Sequence, residues 1–198
     1  MTSFQLTFDY RCPFAKNIHL HVLAALRAGA DFDVTFVPWT LSEGARPEGG
    51  LAVWNDPAYD GELWSLAASV SIRDQQPEYF WAAHEALFRA RHEQAIRLTT
   101  PDEIDLVLAP LGVDITMVHA DVASRRPHQV IGEHYNDFSK FEAFGVPTFV
   151  VENDATFVRY MTPPTDEPKE SVRVIESIVS LITLQPELNE FKHTRLPF

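Results

Sequence analysis

The sequence predicts an α/β fold interrupted by an all-helical insertion. Three observations predict it. A strand–helix–strand unit opens the chain over residues 4–37. Helical periodicity then runs almost unbroken from 60 to 144, and a β-hairpin with a closing amphipathic helix follows from 147. Residues 1–59 and 145–198 are therefore expected to form one domain, and 60–144 a helical subdomain set into it.

The first strand is expected over residues 4–8, where Phe4, Leu6 and Phe8 alternate with Gln5 and Thr7. A helix over 13–28 carries Ile18, Val22, Ala25 and Leu26 on one face and ends at Gly29. A short β-branched strand over 33–37 is closed by Pro38. Residues 42–60 hold Gly44, Pro47, Gly49, Gly50 and Pro57 and read as loop. Helices are expected over 62–72 and 77–91, the second with Phe80, Ala83, Leu87 and Phe88 at helical spacing. Thr100-Pro101-Asp102-Glu103 is a helix start: a cap, a proline at the first helical position and acids in the first turn. That helix stops at Gly112, and others span 115–123 and 127–144. Strands over 147–151 and 155–160 flank the turn Glu152-Asn153-Asp154. After a proline-rich loop, a helix over 170–184 leads to a tail whose Phe191, Leu196, Pro197 and Phe198 suggest packing on the body.

Composition narrows the partners. The formal charge of −12 repels phosphate backbones and anionic lipid, so neither nucleic acid nor a membrane is expected as partner. No apolar run is long enough to span a bilayer, and no basic leader precedes the first strand, so a cytoplasmic protein is expected. Cys12 is the only cysteine, which excludes an intramolecular disulfide.

Cys12 stands on the turn between the first strand and first helix, with Pro13 at the first helical position. A thiol there faces the positive end of the helix dipole, and Arg11 and Lys16 are near in sequence, so a lowered pKa is expected. The alternative for a lone cysteine is a small buried hydrophobe. A dithiol motif would carry its second cysteine where Ala15 stands, so only an external thiol can release an adduct on Cys12. Asp9, three residues earlier, is either a proton relay behind the thiol or a turn acid. Tyr10 either lines the site or packs, and Trp39 either walls the cleft or belongs to the core. His84, His92, His119, His128 and His134 show no tight ligand spacing, so no metal is expected. Arg125, Arg126 and Arg195 are candidate anion-binding residues, with plain surface charge as the alternative.

Three motifs carry a resemblance: Cys12-Pro13 opening the first helix, Gly145-Val146-Pro147-Thr148 before the third strand, and Phe80-Trp81-x-x-His84-Glu85-Ala86-Leu87-Phe88-Arg89-Ala90 in the insertion. Over nearly its whole length the chain resembles the cytoplasmic branch of the DsbA-like family, a thioredoxin-like fold with an inserted all-helical subdomain. The tail Phe191-Lys192-His193-Thr194-Arg195 is similar to that of mycothiol-dependent reductases in that group. The resemblance implies a cis peptide before Pro147 that packs on the sulfur of Cys12 and leaves the main-chain groups of Val146 free to pair with substrate. It implies a site of Cys12, Pro147 and Asp9, with Pro13, Phe14, Tyr10, Val146 and Trp39 around the substrate. Phe14 replaces the polar residue of the strongest oxidants, which implies a less depressed thiol pKa. The implied activity is monothiol oxidoreduction with a low-molecular-weight thiol, mycothiol or glutathione, as co-substrate. Two alternatives stand: a relative of kappa-class glutathione transferases and hydroxychromene carboxylate isomerases, and a redox-inactive protein that binds a peptide or small thiol.

Overall fold

The computed structural model describes residues 2–195. Its sheet has the order β2-β1-β3-β4, with β1 (Thr2–Phe8) in the interior, parallel to β2 (Phe32–Pro38) and antiparallel to β3 (Thr148–Val151). The hairpin partner β4 (Asp154–Phe157) forms one edge and β2 the other. Helix α1 (Pro13–Arg27) crosses between the parallel strands and packs on α7 (Pro168–Leu184). This is the α/β order with a helical insertion that the sequence predicts.

The insertion comprises α2 (Asp60–Gln75), α3 (Pro77–Glu93), α4 (Pro101–Leu108), α5 (Ile115–Ala123) and α6 (Arg126–Ser139). Helix α2 is central and packs against all four others. Its buried residues run from Leu63 to Ile72 and include Ser65, Ala67, Ala68, Ser69 and Ser71, so small side chains let neighbours approach from several sides. The α4 start is a capping box: the Glu103 amide donates to Thr100 Oγ1, and the Thr100 amide donates to Glu103 Oε2. The expected loop over 42–60 contains three short 3₁₀ turns, the last with Asp56 accepting from the Ala58 amide at 3.0 Å.

Strand β4 ends at Phe157 instead of continuing to 160, and two further expectations differ. Helix α6 stops at Ser139 instead of continuing to 144, because the chain turns through Glu142 at φ 53° to deliver Gly145-Val146 to the sheet. The tail from 185 to 195 is exposed, with Phe191 75% accessible, so it does not bury its apolar residues as expected. Leu196, Pro197 and Phe198 lie outside the described residues.

One packing contact dictates a glycine. A Cβ at Gly132 on α6 would stand 2.5 Å from Nε1 of the buried Trp54 indole. Gly132→Ala should therefore lose about 2 kcal/mol of stability by overpacking, despite the better helix propensity of alanine. Urea denaturation checks this, and an alanine variant as stable as wild type would sink it.

Candidate active site

Cys12 is the N-cap of α1, in extended conformation, and Pro13 follows at the first helical position, exposed. The turn before it is closed by the Cys12 amide donating to Asp9 O at 3.0 Å. Cys12 is 8% accessible, and its thiol donates to the carbonyl of Val146 at 3.1 Å. The Val146–Pro147 peptide is cis, and both residues are buried. The two motifs that the sequence separates by 134 positions thus meet at one sulfur.

Thr7 holds them together. Ladder pairing between β1 and β3 covers only Gln5↔Val150 and Leu6↔Phe149. Where the strands then diverge, Thr7 Oγ1 accepts from the Thr148 amide at 2.8 Å. A side chain so replaces the next main-chain contact of the sheet, one residue beyond Pro147.

The electrostatics of Cys12 correct the expectation of a lowered pKa. Burial pushes the thiol up; the amides of Ala15 and Phe14 pull it partly back, and the Asp9 carboxylate adds to the rise. The helix terminus does favour thiolate, but desolvation outweighs it. Arg11 and Lys16 do not help the sulfur in the way their sequence positions suggest. Arg11 is taken up by Asp9 at 2.6 Å and Glu62 at 2.7 Å, and Lys16 by Glu93 at 3.4 Å.

Asp9 is 1% accessible and its carboxylate is fully engaged. It accepts from the Arg11 amide at 2.9 Å, from the Arg11 guanidinium, and from the Leu41 amide at 3.0 Å. That is the geometry of a turn acid.

Tyr10 and Trp39 belong to the core, so neither lines the cleft. Tyr10 is completely buried, and its hydroxyl lies 2.7 Å from His84 Nδ1. His84 Nε2 lies 2.8 Å from His19 Nδ1, and His19 Nε2 lies 3.1 Å from Thr7 O. The carbonyl at the far end can only accept, so neutral rings run in one direction: His19 donates to Thr7, His84 to His19, and Tyr10 to His84. Burial pulls His19 down to about 3 and His84 well below the usual histidine range. Trp39 is 3% accessible and stacks on Tyr135 with ring centroids 4.9 Å apart. Period-2 and helical patterns cannot distinguish a cleft wall from a core ring, and burial decides.

Phe14 is half-buried, and the Arg159 guanidinium lies over its ring at 5.1 Å. The candidate anion binders Arg125 and Arg126 are committed to internal carboxylates. Arg125 pairs with Asp60 at 2.7 Å, and Arg126 with Asp74 at 2.6 Å and Asp121 at 2.5 Å. Arg195 is exposed on the tail. Of the histidines weighed as ligands, His92 Nε2 lies 2.8 Å from Tyr10 O and His119 Nε2 lies 2.8 Å from Asp105 Oδ1. His84 and His128 are buried, and burial lowers His134. Among the described residues no three His, Cys, Asp or Glu side chains are grouped to hold a metal ion, and no helix is long and apolar enough to cross a membrane. Sequence reasoning missed Thr7, His19 and Arg159. His19 on an otherwise apolar helix face was the one visible signal.

Comparison with known proteins places the fold. No curated protein matches the chain. Among solved structures, it is similar to the cytosolic disulfide reductase DsbM from Pseudomonas aeruginosa, crystallised with GSH, at a TM-score of 0.63 and 15% identity, covering 90% of this chain and all of that one. It is similar to the oxidoreductase DsbA from Xylella fastidiosa at a TM-score of 0.58 and 20% identity, covering 92% of this chain and 86% of that one. It is also similar to Pseudomonas aeruginosa DsbA at a TM-score of 0.60 and 19% identity, covering 93% and 85%. At these identities the structures establish the fold. The model of the DSBA-like thioredoxin domain matches residues 5–173, a span that runs from β1 through the insertion into α7. The chain belongs to the DSBA-like thioredoxin domain family.

Proposed function

We propose that this chain is a monothiol oxidoreductase that exchanges disulfides through a mixed disulfide between Cys12 and a low-molecular-weight thiol, glutathione or mycothiol, in the cytoplasm. One observation carries the reading: a single thiol at the start of α1, facing Val146 O beside the cis peptide, in a chain with no second cysteine. The acidic, one-cysteine composition and the likeness to a cytosolic reductase crystallised with GSH support the setting and the co-substrate class.

The cycle has two exchanges. Cys12 loses its proton to solvent base, since Val146 O cannot take it. The thiolate attacks one sulfur of a substrate disulfide; the S–S bond breaks, and the other half leaves as a thiolate with the electron pair. A free thiolate then attacks the outer sulfur of the adduct, forms a new external disulfide and returns Cys12 as thiolate. Displacement of Sγ from Val146 O frees that carbonyl to pair with an extended substrate, as in strand addition. Pro147 follows the carbonyl that faces the sulfur, and Pro13 and Phe14 follow Cys12 on the first turn of α1. Asp9 fixes the turn through Arg11 and Leu41.

The test is intact mass after incubation with oxidised glutathione and, separately, oxidised mycothiol. One adduct per chain is expected with at least one of them, and none in Cys12→Ser. Because burial holds the thiol above its ordinary range, the adduct rate should rise roughly tenfold per pH unit between pH 7 and 9. A rate flat across that window would show a thiolate already formed at neutral pH and overturn the burial account. The raised thiol pKa also favours a second reading, a redox-inactive protein that binds peptide or thiol in the same cleft. Absence of any adduct would select it.

A further inference from the structure

We propose that Arg159 anchors a carboxylate of the disulfide that Cys12 attacks, so that the substrate class is anionic. The inference rests on the monothiol reading above and specifies its substrate.

Placement comes first. Arg159 lies just beyond β4 and is held between two anchors. The Val158 amide donates to Pro147 O at 3.1 Å, and Asn17 Nδ2 on α1 donates to Tyr160 O at 3.0 Å. One anchor joins Arg159 to the loop that faces the sulfur, and the other to the helix that the sulfur caps. Its guanidinium lies over Phe14, two residues from Cys12 in the first turn of that helix. A guanidinium stacked on a ring is fixed in orientation while its in-plane N–H donors stay free for a planar acceptor.

Charge comes second. Arg11 and Lys16 flank Cys12 in sequence, and Arg159 reaches the first turn of α1 through Phe14. The first two are neutralised by Asp9, Glu62 and Glu93. Arg159 is exposed and has no carboxylate partner among the described residues. In a chain of charge −12, acids are abundant enough to have paired it. An unpaired guanidinium over Phe14, two residues along the chain from Cys12, offers an anion a local attraction on an otherwise acidic chain. Arg159 also lines a groove of about 740 Å³ between β4, α7 and the tail, where Arg173 and His193 stand with Asp154 and Glu170, so a ligand longer than one cysteine has room beyond the anchor.

The chemistry selects a thiol with a carboxylate a few bonds from sulfur, as in a peptide thiol such as glutathione. A sugar-based thiol without carboxylate gains nothing from Arg159. The test compares three small disulfides of graded charge at low ionic strength: dithiodipropionate, hydroxyethyl disulfide and cystamine. The rate of adduct formation on Cys12 is read by mass in wild type, Arg159→Gln and Arg159→Lys, with circular dichroism as a folding check. Wild type should react faster with the anionic than with the neutral disulfide. Arg159→Gln should lower that rate ratio about fivefold, the size of a well-placed exposed ion pair, and Arg159→Lys should keep part of it. The ratio cancels any change in thiolate fraction, which affects both disulfides alike. An unchanged ratio in Arg159→Gln overturns the anchor while leaving the monothiol reading in place. Absence of adduct with all three disulfides overturns the anchor, and absence with oxidised glutathione and oxidised mycothiol as well overturns the monothiol reading.

Discussion

Unfolding free energy should fall steeply as pH drops from about 6.5 toward 4. The cause is the buried pair His19 and His84, both completely inaccessible and both held neutral by burial, His19 down to about 3. Their folded pKa values lie below the unfolded value, so the unfolded chain binds more protons. The stability they confer is complete above pH 6.5 and is lost as pH falls below it. Two such groups give a slope of roughly 3 kcal/mol per pH unit below pH 6.5 for as long as both stay neutral in the folded chain. Even one pH unit of this loss is a sizeable share of the stability of a typical domain. His21, His92, His128 and His134 are also lowered by burial and act in the same direction. Urea midpoints at pH 7.5, 6 and 5 measure the slope. The double variant His19→Gln/His84→Gln keeps donors and acceptors but cannot titrate, and should flatten it. The same slope in that variant would refute the assignment.

Asp9→Asn should cost about 3 kcal/mol of stability and raise the reactivity of Cys12 at a given pH. The first effect follows from breaking a buried ion pair, which leaves the Arg11 guanidinium and the Leu41 amide short of an acceptor. The second follows from the sign of the Asp9 charge, which raises the thiol pKa. A proton relay predicts the opposite, since an amide cannot carry the proton. Alkylation of Cys12 at pH 7.5 separates them. Slower alkylation in a folded Asp9→Asn variant would restore the relay and sink the turn-acid assignment.

How much of this was legible in the sequence depends on the range of each interaction. Capping at Thr100, the proline at the start of α1 and the α5 bounds are written within a few residues, and pattern reading recovers them. The fold class follows from the order of such local elements. The electrostatics of Cys12 do not, because burial is a property of the folded chain, with the Val146 carbonyl brought to the sulfur from far along the sequence, whereas the helix terminus is local. Tyr10 and Trp39 were ambiguous for the same reason: what stands opposite each ring is supplied by α3 and α6. Arg159 left no trace, since its meaning depends on a contact between the end of β4 and the first turn of α1.

The reach from Cys12 to Val146 also sets a timetable. The thiol is covered by a carbonyl that follows it by 134 residues. At 5–20 residues per second, synthesis leaves roughly 7–27 s between the two. Throughout that interval β1 and α1 lack β3, and the sulfur lacks its cover. A nascent chain therefore offers oxidants and passing disulfides a thiol more open than the finished protein does. Closing the sheet is the step that brings Val146 over the sulfur.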